Sequence, residues 1–167
     1  MNKKVITLGI DPGLATTGWA IIEKVNKNLK VKDFDCIFTK KELTHSQRLL
    51  KIFKETEKIV KKYQPNVIAI ERLFFFKNSK TAMAVGESRG MILLVAAKYN
   101  LPIFEYTPLE IKQAIVGYGR ADKKQMQKMV MRLLNLKELP KPDDAADALA
   151  CAICHLHQNN LIKDARI

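Results

Sequence analysis

Val5-Ile6-Thr7-Leu8-Gly9-Ile10-Asp11-Pro12-Gly13-Leu14-Ala15-Thr16-Thr17-Gly18-Trp19 is an apolar run that ends in one carboxylate and then turns sharply. A run such as Val5 to Ile10 belongs in the middle of a sheet, where an ionised side chain is costly unless it is paired or bound to a metal. Asp11 therefore reads in two ways on this segment alone. It is an Asx-type turn residue between two hairpin strands, or a strand-end ligand for a cation. Pro12 and Gly13 end the strand and let the backbone pass close to a neighbour, and Gly18 opens a second apolar run, Trp19 to Ile22. Asn26-Lys27-Asn28 supplies turn residues before a third run, Leu29 to Phe38, so the chain opens as an antiparallel meander.

Working outward, Thr44-His45-Ser46-Gln47 fits a capping box, and Leu49, Ile52, Phe53, Thr56, Ile59, Val60 and Tyr63 then recur at helical spacing. Gln64-Pro65-Asn66 stops this helix, and Val67-Ile68-Ala69-Ile70 is a wholly apolar run of the kind found in buried parallel strands. It ends in Glu71. Two apolar strands joined by a crossover helix run parallel and can lie side by side, which would bring Asp11 and Glu71 to one edge of the sheet. Arg72-Leu73-Phe74-Phe75-Phe76-Lys77-Asn78 follows, an aromatic cluster bracketed by basic residues. Three consecutive phenylalanines cannot all face inward; they either stack on an unpaired base or pack under the next helix. That helix, Ser79 to Tyr99, is apolar nearly all round, with Gly86 and Gly90 four apart on one face. It packs within the chain or meets a second subunit, and the extent of apolar surface favours a dimer.

Leu101 to Tyr106 is a last short strand, and Thr107-Pro108-Leu109-Glu110 is a helix start with Thr as N-cap, Pro at N1 and Glu at N3. Gly117 to Lys124 is a flexible basic loop, and Asp122 caps a further helix carrying Met126, Met129, Val130, Leu133 and Leu134. Lys112, Arg120, Lys123 and Lys124 read as phosphate contacts or as solvated charges, and their grouping beside glycines raises the first reading. In Asp143-Asp144-Ala145-Ala146-Asp147-Ala148, acidic residues in the first turn complement the helix dipole, which accounts for Asp143 and Asp144 but less well for Asp147. Asp144 and Asp147 lie three apart on one face, and the surrounding alanines allow that face to approach a sheet edge closely. If it lies over Asp11 and Glu71, four carboxylates converge where a divalent metal is needed to hold them together. Cys151 and His155 continue the stripe, but hard oxygens suit Mg²⁺ or Mn²⁺ better than zinc.

The bulk properties agree with a nucleic-acid enzyme. The 167 residues suffice for one domain, 1–167, with the last few residues as a flexible tail, and Lys plus Arg exceed Asp plus Glu by 29 to 17, a formal charge of +12. No apolar run approaches a bilayer span, and the N-terminal run is too short and glycine-interrupted for a signal peptide, so a cytoplasmic protein with no membrane partner is expected. Cys36, Cys151 and Cys154 suggest reduced, buried thiols rather than a disulfide framework. There is no Walker-type loop and no nucleophilic serine motif; acids for metal on a basic protein point to a metal-dependent nuclease.

The motifs Gly9-Ile10-Asp11-Pro12-Gly13, Ala69-Ile70-Glu71, Phe104-Glu105-Tyr106, Lys112-Gln113, Val116-Gly117 and Asp144-Ala145-Ala146-Asp147-Ala148-Leu149-Ala150, in that order, resemble the crossover junction endodeoxyribonuclease (RuvC) family over nearly the whole chain. The resemblance implies an α/β, ribonuclease H-like fold with a five-stranded mixed sheet in the order 3-2-1-4-5 flanked by helices. It implies a homodimer that resolves four-way Holliday junctions by symmetric paired nicking, leaving 5′-phosphate and 3′-hydroxyl ends, alongside the branch-migration motor RuvA-RuvB. Carried over, the catalytic and metal-binding carboxylates are Asp11, Glu71, Asp144 and Asp147. They would hold two Mg²⁺ per subunit, replaceable by Mn²⁺, with Asp11 bridging the ions. Phe74 is the junction-contacting aromatic, and Lys112 and Lys123 are the catalytic basic residues. Arg72, Lys77, Arg120 and Lys124, which the resemblance does not carry over, are further DNA contacts read from their basic clusters, Arg72 standing where related sequences can have an uncharged residue. Three rivals remain: an actin-like ATPase, for which the chain has room for only one of the two lobes; a basic dimer that binds branched DNA without cutting; and a ribonuclease H-like nuclease for RNA or linear DNA.

Overall fold

The apolar run that ends in Asp11 forms the central strand of the protein. In the computed structural model, which describes residues 4–72 and 79–158, strand β1 (Lys4–Asp11) pairs antiparallel with β2 (Thr16–Val25), and β2 pairs antiparallel with β3 (Asn28–Phe38). The β2–β3 turn uses Asn26 at φ 56°, a left-handed conformation that asparagine tolerates. On its other side β1 pairs parallel with β4 (Val67–Glu71), which pairs parallel with β5 (Ile103–Tyr106). The order is therefore β3-β2-β1-β4-β5, a mixed sheet as expected.

Each helix begins where local chemistry directs it. Helix α1 (His45–Tyr63) starts in a complete capping box between Thr44 and Gln47, and α3 (Pro108–Val116) starts in another between Thr107 and Glu110, with Pro108 in the first turn. Asp122 and Gln125 form a third box at the start of α4 (Lys123–Leu133). Helix α2 (Ser79–Lys98) lies between β4 and β5, and α5 (Asp143–Gln158) closes the described chain.

Strand alternation divides the core into two layers. Leu8, Ile10, Ile21, Ile68, Ile70 and Ile103 pack with Ile52, Ile59 and Val60 of α1 and with Ile92 and Val95 of α2. On the opposite face Ala20, Ile22, Ala69 and Tyr106 meet Ala148, Leu149, Ala152 and Ile153 of α5, with Ile111, Ile115 and Val130 of α3 and α4 around them. Fully burying each Leu or Ile contributes about 1.5–3 kcal/mol. The second layer is thin under α5 because its sheet residues are small. A Cβ on Gly9 would overlap the Ala148 carbonyl and lie 2.8 Å from the Ala152 Cβ, and a Cβ on Gly18 would overlap the Asp144 carbonyl. The helix thus sits almost directly on the backbones of β1 and β2, the close approach that its alanines suggest.

Helix α2 packs on the sheet along one side and leaves the other open. Ser88, Ile92, Val95 and Ala96 are buried, whereas Met83 is 71% exposed and Leu94 53%. Gly86 and Gly90 have open space where side chains would be.

Candidate active site

The register of the sheet sets out the site. Asp11 lies opposite Gly18 on β2, and the pairing of Ile10 with Ile70 puts Asp11 beside Glu71, which in turn pairs with Tyr106. Residues level in adjacent strands share a face. Gly18, Asp11, Glu71 and Tyr106 therefore form one row at the C-terminal edge of the two parallel strands, on the face that α5 covers. Gly18 is the seat for the first turn of α5, since the Asp144 carbonyl rests where its side chain would be. That contact delivers Asp144, and one turn later Asp147, over the row.

The electrostatics show how closely the acids gather. Burial, then Glu71, Asp147 and Asp144 in turn, push the Asp11 carboxyl up to about 8, against a weaker opposing effect of Lys123. Glu71 is raised by burial and by Asp147, with Lys112 acting the other way. Asp147 is raised by burial despite Lys123. The adjacent acid behaves differently: Asp143 turns outward, its carboxyl held low by hydrogen bonds from Lys123 and from Gln127, the latter at 2.9 Å. The doublet thus divides, Asp144 toward Asp11 and Asp143 toward α4.

Two lysines stand against these acids. Lys123 Nζ lies 3.2 Å from Asp143 Oδ2 and 3.4 Å from Asp147 Oδ2. Burial works against its charge, but Asp147 and Asp143 raise its pKa overall. Lys112 and Lys123 line a cleft of about 200 Å³ together with Glu71, Asp147, Pro108 and Met126. Arg120 and Lys124 are exposed on the α3–α4 hairpin. Arg72 is drawn elsewhere, its Nε 3.6 Å from Glu105 on β5. Phe74 and Lys77 lie outside the described residues.

Four carboxylates from β1, β4 and α5 form a donor set of hard oxygens whose mutual repulsion a divalent cation relieves. Among the described residues no three acid, thiol or imidazole groups are drawn tightly enough to hold a metal as they stand. The donor chemistry nonetheless fits a hard cation and does not fit a soft one. Cys151 is wholly buried with its thiol pushed far up by burial, and His155 is engaged with the Tyr106 hydroxyl, 2.7 Å from Nδ1.

Several contributors escape the sequence reading. Gly9 and Gly18 matter through a helix remote in sequence; glycines inside otherwise apolar strands are the available signal. Cys36, on β3 level with Gly18, lies by the start of α5, where burial and Asp144 raise its thiol pKa and the Ala145 backbone opposes the rise. Arg89 of α2 forms an ion pair with Glu105, tying that helix to the strand beside Glu71.

Comparison with known proteins agrees with this geometry. The sequence profile of crossover junction endodeoxyribonuclease RuvC matches residues 7–155. The crossover junction endodeoxyribonuclease RuvC of Caldicellulosiruptor saccharolyticus is 58% identical over 89% of this chain and 90% of its own length. That of Alkaliphilus oremlandii is 52% identical over 98% and 99%. Among solved structures, T. thermophilus RuvC in complex with Holliday junction substrate superposes with a TM-score of 0.89 at 29% identity, covering 94% of this chain and 96% of that one. The yeast mitochondrial Holliday junction resolvase Ydc2 shares the fold, with a TM-score of 0.65 at 17% identity over 92% of this chain and 80% of its own. The chain belongs to the crossover junction endodeoxyribonuclease RuvC family.

Proposed function

We propose that this chain resolves four-way DNA junctions by hydrolysing one phosphodiester in each of two opposing strands, working as a homodimer with one site per subunit. The observation that carries the reading is the gathering of Asp11, Glu71, Asp144 and Asp147 at one sheet edge of a protein with a formal charge of +12, with Lys112 and Lys123 lining the same cleft. Nucleases of this family depend on a divalent metal. Two Mg²⁺, with Mn²⁺ as a substitute, are the ions we assign to the four carboxylates. When bound, such ions supply Lewis acidity that activates water and stabilises the departing oxygen.

The chain's own residues do the rest. With the charge of Glu71, Asp144 and Asp147 offset by a bound cation, Asp11 would be held ionised as one of its oxygen ligands. Lys123, held by Asp143 and Asp147 at the rim, and Lys112, facing Glu71, present ammonium groups to the phosphate and offset charge developing on it. Hydrolysis breaks the P–O3′ bond, leaving a 5′-phosphate and a 3′-hydroxyl that a ligase can rejoin. Phe74, Lys77, Arg72, Arg120 and Lys124 are assigned to the DNA around the cut, with Arg72 the least direct because Glu105 holds it. We further assign the chain to the cytoplasm, as one nuclease domain beside the branch-migration motor RuvA-RuvB. Among the described residues no helix is long and apolar enough to cross a membrane.

Cleavage of a four-way junction, an RNA–DNA hybrid and linear duplex DNA, each with Mg²⁺ and with chelator, tests the reading. Paired nicks confined to the junction, lost with chelator and lost in Asp11→Asn while junction binding persists, are the expected result. Cutting of the hybrid or linear duplex at equal rates would overturn junction selectivity. A variant Asp11→Asn that still cuts would remove Asp11 from the chemistry.

A further inference from the structure

Tyr118 has no part in the acid cluster, yet its side chain is left in solvent. It is 50% exposed, and Leu109 beside it is 54% exposed. Both belong to the α3–α4 hairpin, and Tyr118 sits in the loop that joins the helix of Lys112 to the helix of Lys123, the two cations that line the cleft with Glu71 and Asp147.

The loop is constructed to hold this ring. Helix α3 ends at Gly117, whose φ of 83° reverses the chain while its amide donates to the Gln113 carbonyl. A Cβ on Gly119 would meet the Leu109 Cδ1 methyl, so the loop lies against the Leu109 side chain in the first turn of α3. The Tyr118 hydroxyl donates to Gln125 Oε1 at 3.4 Å, the same oxygen that accepts the Asp122 amide in the capping box of α4. One edge of the phenol is thus tethered to the start of α4 and half of the side chain stays open. Arg120 and Lys124 are both exposed on the same hairpin. An exposed aromatic ring on a hairpin that also exposes cations matches a flat apolar group carried on a polyanion. An apolar protein surface would gain nothing from those charges.

We infer that Tyr118 is a specificity-determining residue, which stacks on an unpaired nucleobase of the strand whose phosphate enters the cleft. The inference rests on the junction-nuclease reading and deepens it. A base must unstack to meet the ring, and steps that unstack easily yield more readily. Tyr118 therefore biases which sequence is cut without reading base edges by hydrogen bonds.

The test compares Tyr118→Ala, Tyr118→Leu and Tyr118→Phe on mobile junctions whose crossover samples many sequences. A fixed junction carrying 2-aminopurine beside the cut phosphate reports stacking. Loss of one base–aromatic stack corresponds to about 5- to 150-fold in kcat/KM, expected for Ala and Leu alike. Both should redistribute the cut positions and lose the fluorescence quenching seen on binding, with melting temperature unchanged. Tyr118→Phe should rescue quenching and cut pattern, since it keeps the ring and loses only the hydroxyl. Unaltered rate, cut pattern and quenching in Tyr118→Ala would overturn the inference. So would a Phe variant as impaired as Ala and Leu, because the Gln125 tether and not the ring would then be what matters. A wild-type chain that leaves four-way junctions intact overturns the reading beneath it and this inference together. A wild-type chain that resolves them while Tyr118→Ala matches it removes Tyr118 alone.

Discussion

Asp11 keeps its proton to about pH 8 in the folded chain, while an unfolded aspartate loses it near 3.8, because burial and three neighbouring acids penalise the charge. The folded state therefore binds the extra proton between those pH values, and its stability falls as pH rises through that window. Glu71 and Asp147, also raised, act in the same direction. His155 opposes them. Buried and neutral beside Tyr106, it is drawn down to about 4 from 6.5, so the unfolded state takes the extra proton and stability is lost as pH falls through that range. The two effects compete below about pH 6.5 and the acids alone govern the interval up to about 8. In chelator, the melting temperature of the wild-type chain should decline across that interval, and Asp11→Asn should flatten the decline and be the more stable protein at pH 8. Added Mg²⁺ or Mn²⁺ should restore the wild type at pH 8 and do much less for the variant. Parallel pH profiles for the two proteins would show that Asp11 does not carry the repulsion assigned to it.

At the scale of the element, the site depends on how closely α5 lies on the sheet, and Gly18 fixes that distance. Gly18→Ala puts a methyl group where the Asp144 carbonyl sits, so the first turn of α5 must lift. Overpacking of this kind costs about 1–3 kcal/mol, or roughly 2–10 °C in melting temperature for a chain of this size. Because the lifted turn carries Asp144, the divalent-metal midpoint, read by thermal shift, should weaken by more than the stability loss alone explains. A midpoint unchanged from wild type would mean that the acids do not depend on this seat. The same comparison explains what could be read from the sequence. The three capping boxes involve residues three apart, and the ends of β1 and β4 are marked by the carboxylates that close their apolar runs, so these features are written locally. The Asp144/Asp147 face also follows from helical spacing. The strand order was not local and came from resemblance. The seat at Gly18, the Arg89–Glu105 pair and the Tyr106–His155 bond join residues on different elements through cross-strand register or helix docking, which no short pattern encodes. Arg72 shows the same limit: its position after Glu71 suggests DNA, while Glu105, from a strand not yet reached in the sequence, captures its guanidinium.

For the whole molecule, symmetric nicking of two strands requires two sites at a fixed separation, and one chain offers one acid cluster. The surface we propose for joining two copies is the open side of α2, where Met83, Gly86, Gly90 and Leu94 recur at spacings that place them along one face. Glycines with empty space above them let a second helix approach closely, and the two large exposed side chains supply apolar area to bury. This helix also connects to the site, because Arg89 bonds Glu105 on the strand next to Glu71, so docking on α2 bears on the sheet edge that holds the acids. Leu94→Glu places a charge on that face without touching Asp11, Glu71, Asp144 or Asp147. The variant should sediment as a monomer where the wild type sediments as a dimer. Paired nicking of a four-way junction should fall about tenfold or more, the scale of a charge buried at an interface hot spot. Its Mn²⁺-induced thermal shift should persist, since each chain keeps its own four carboxylates. A Leu94→Glu protein that remains dimeric and resolves junctions normally would place the contact between copies on another surface of the fold.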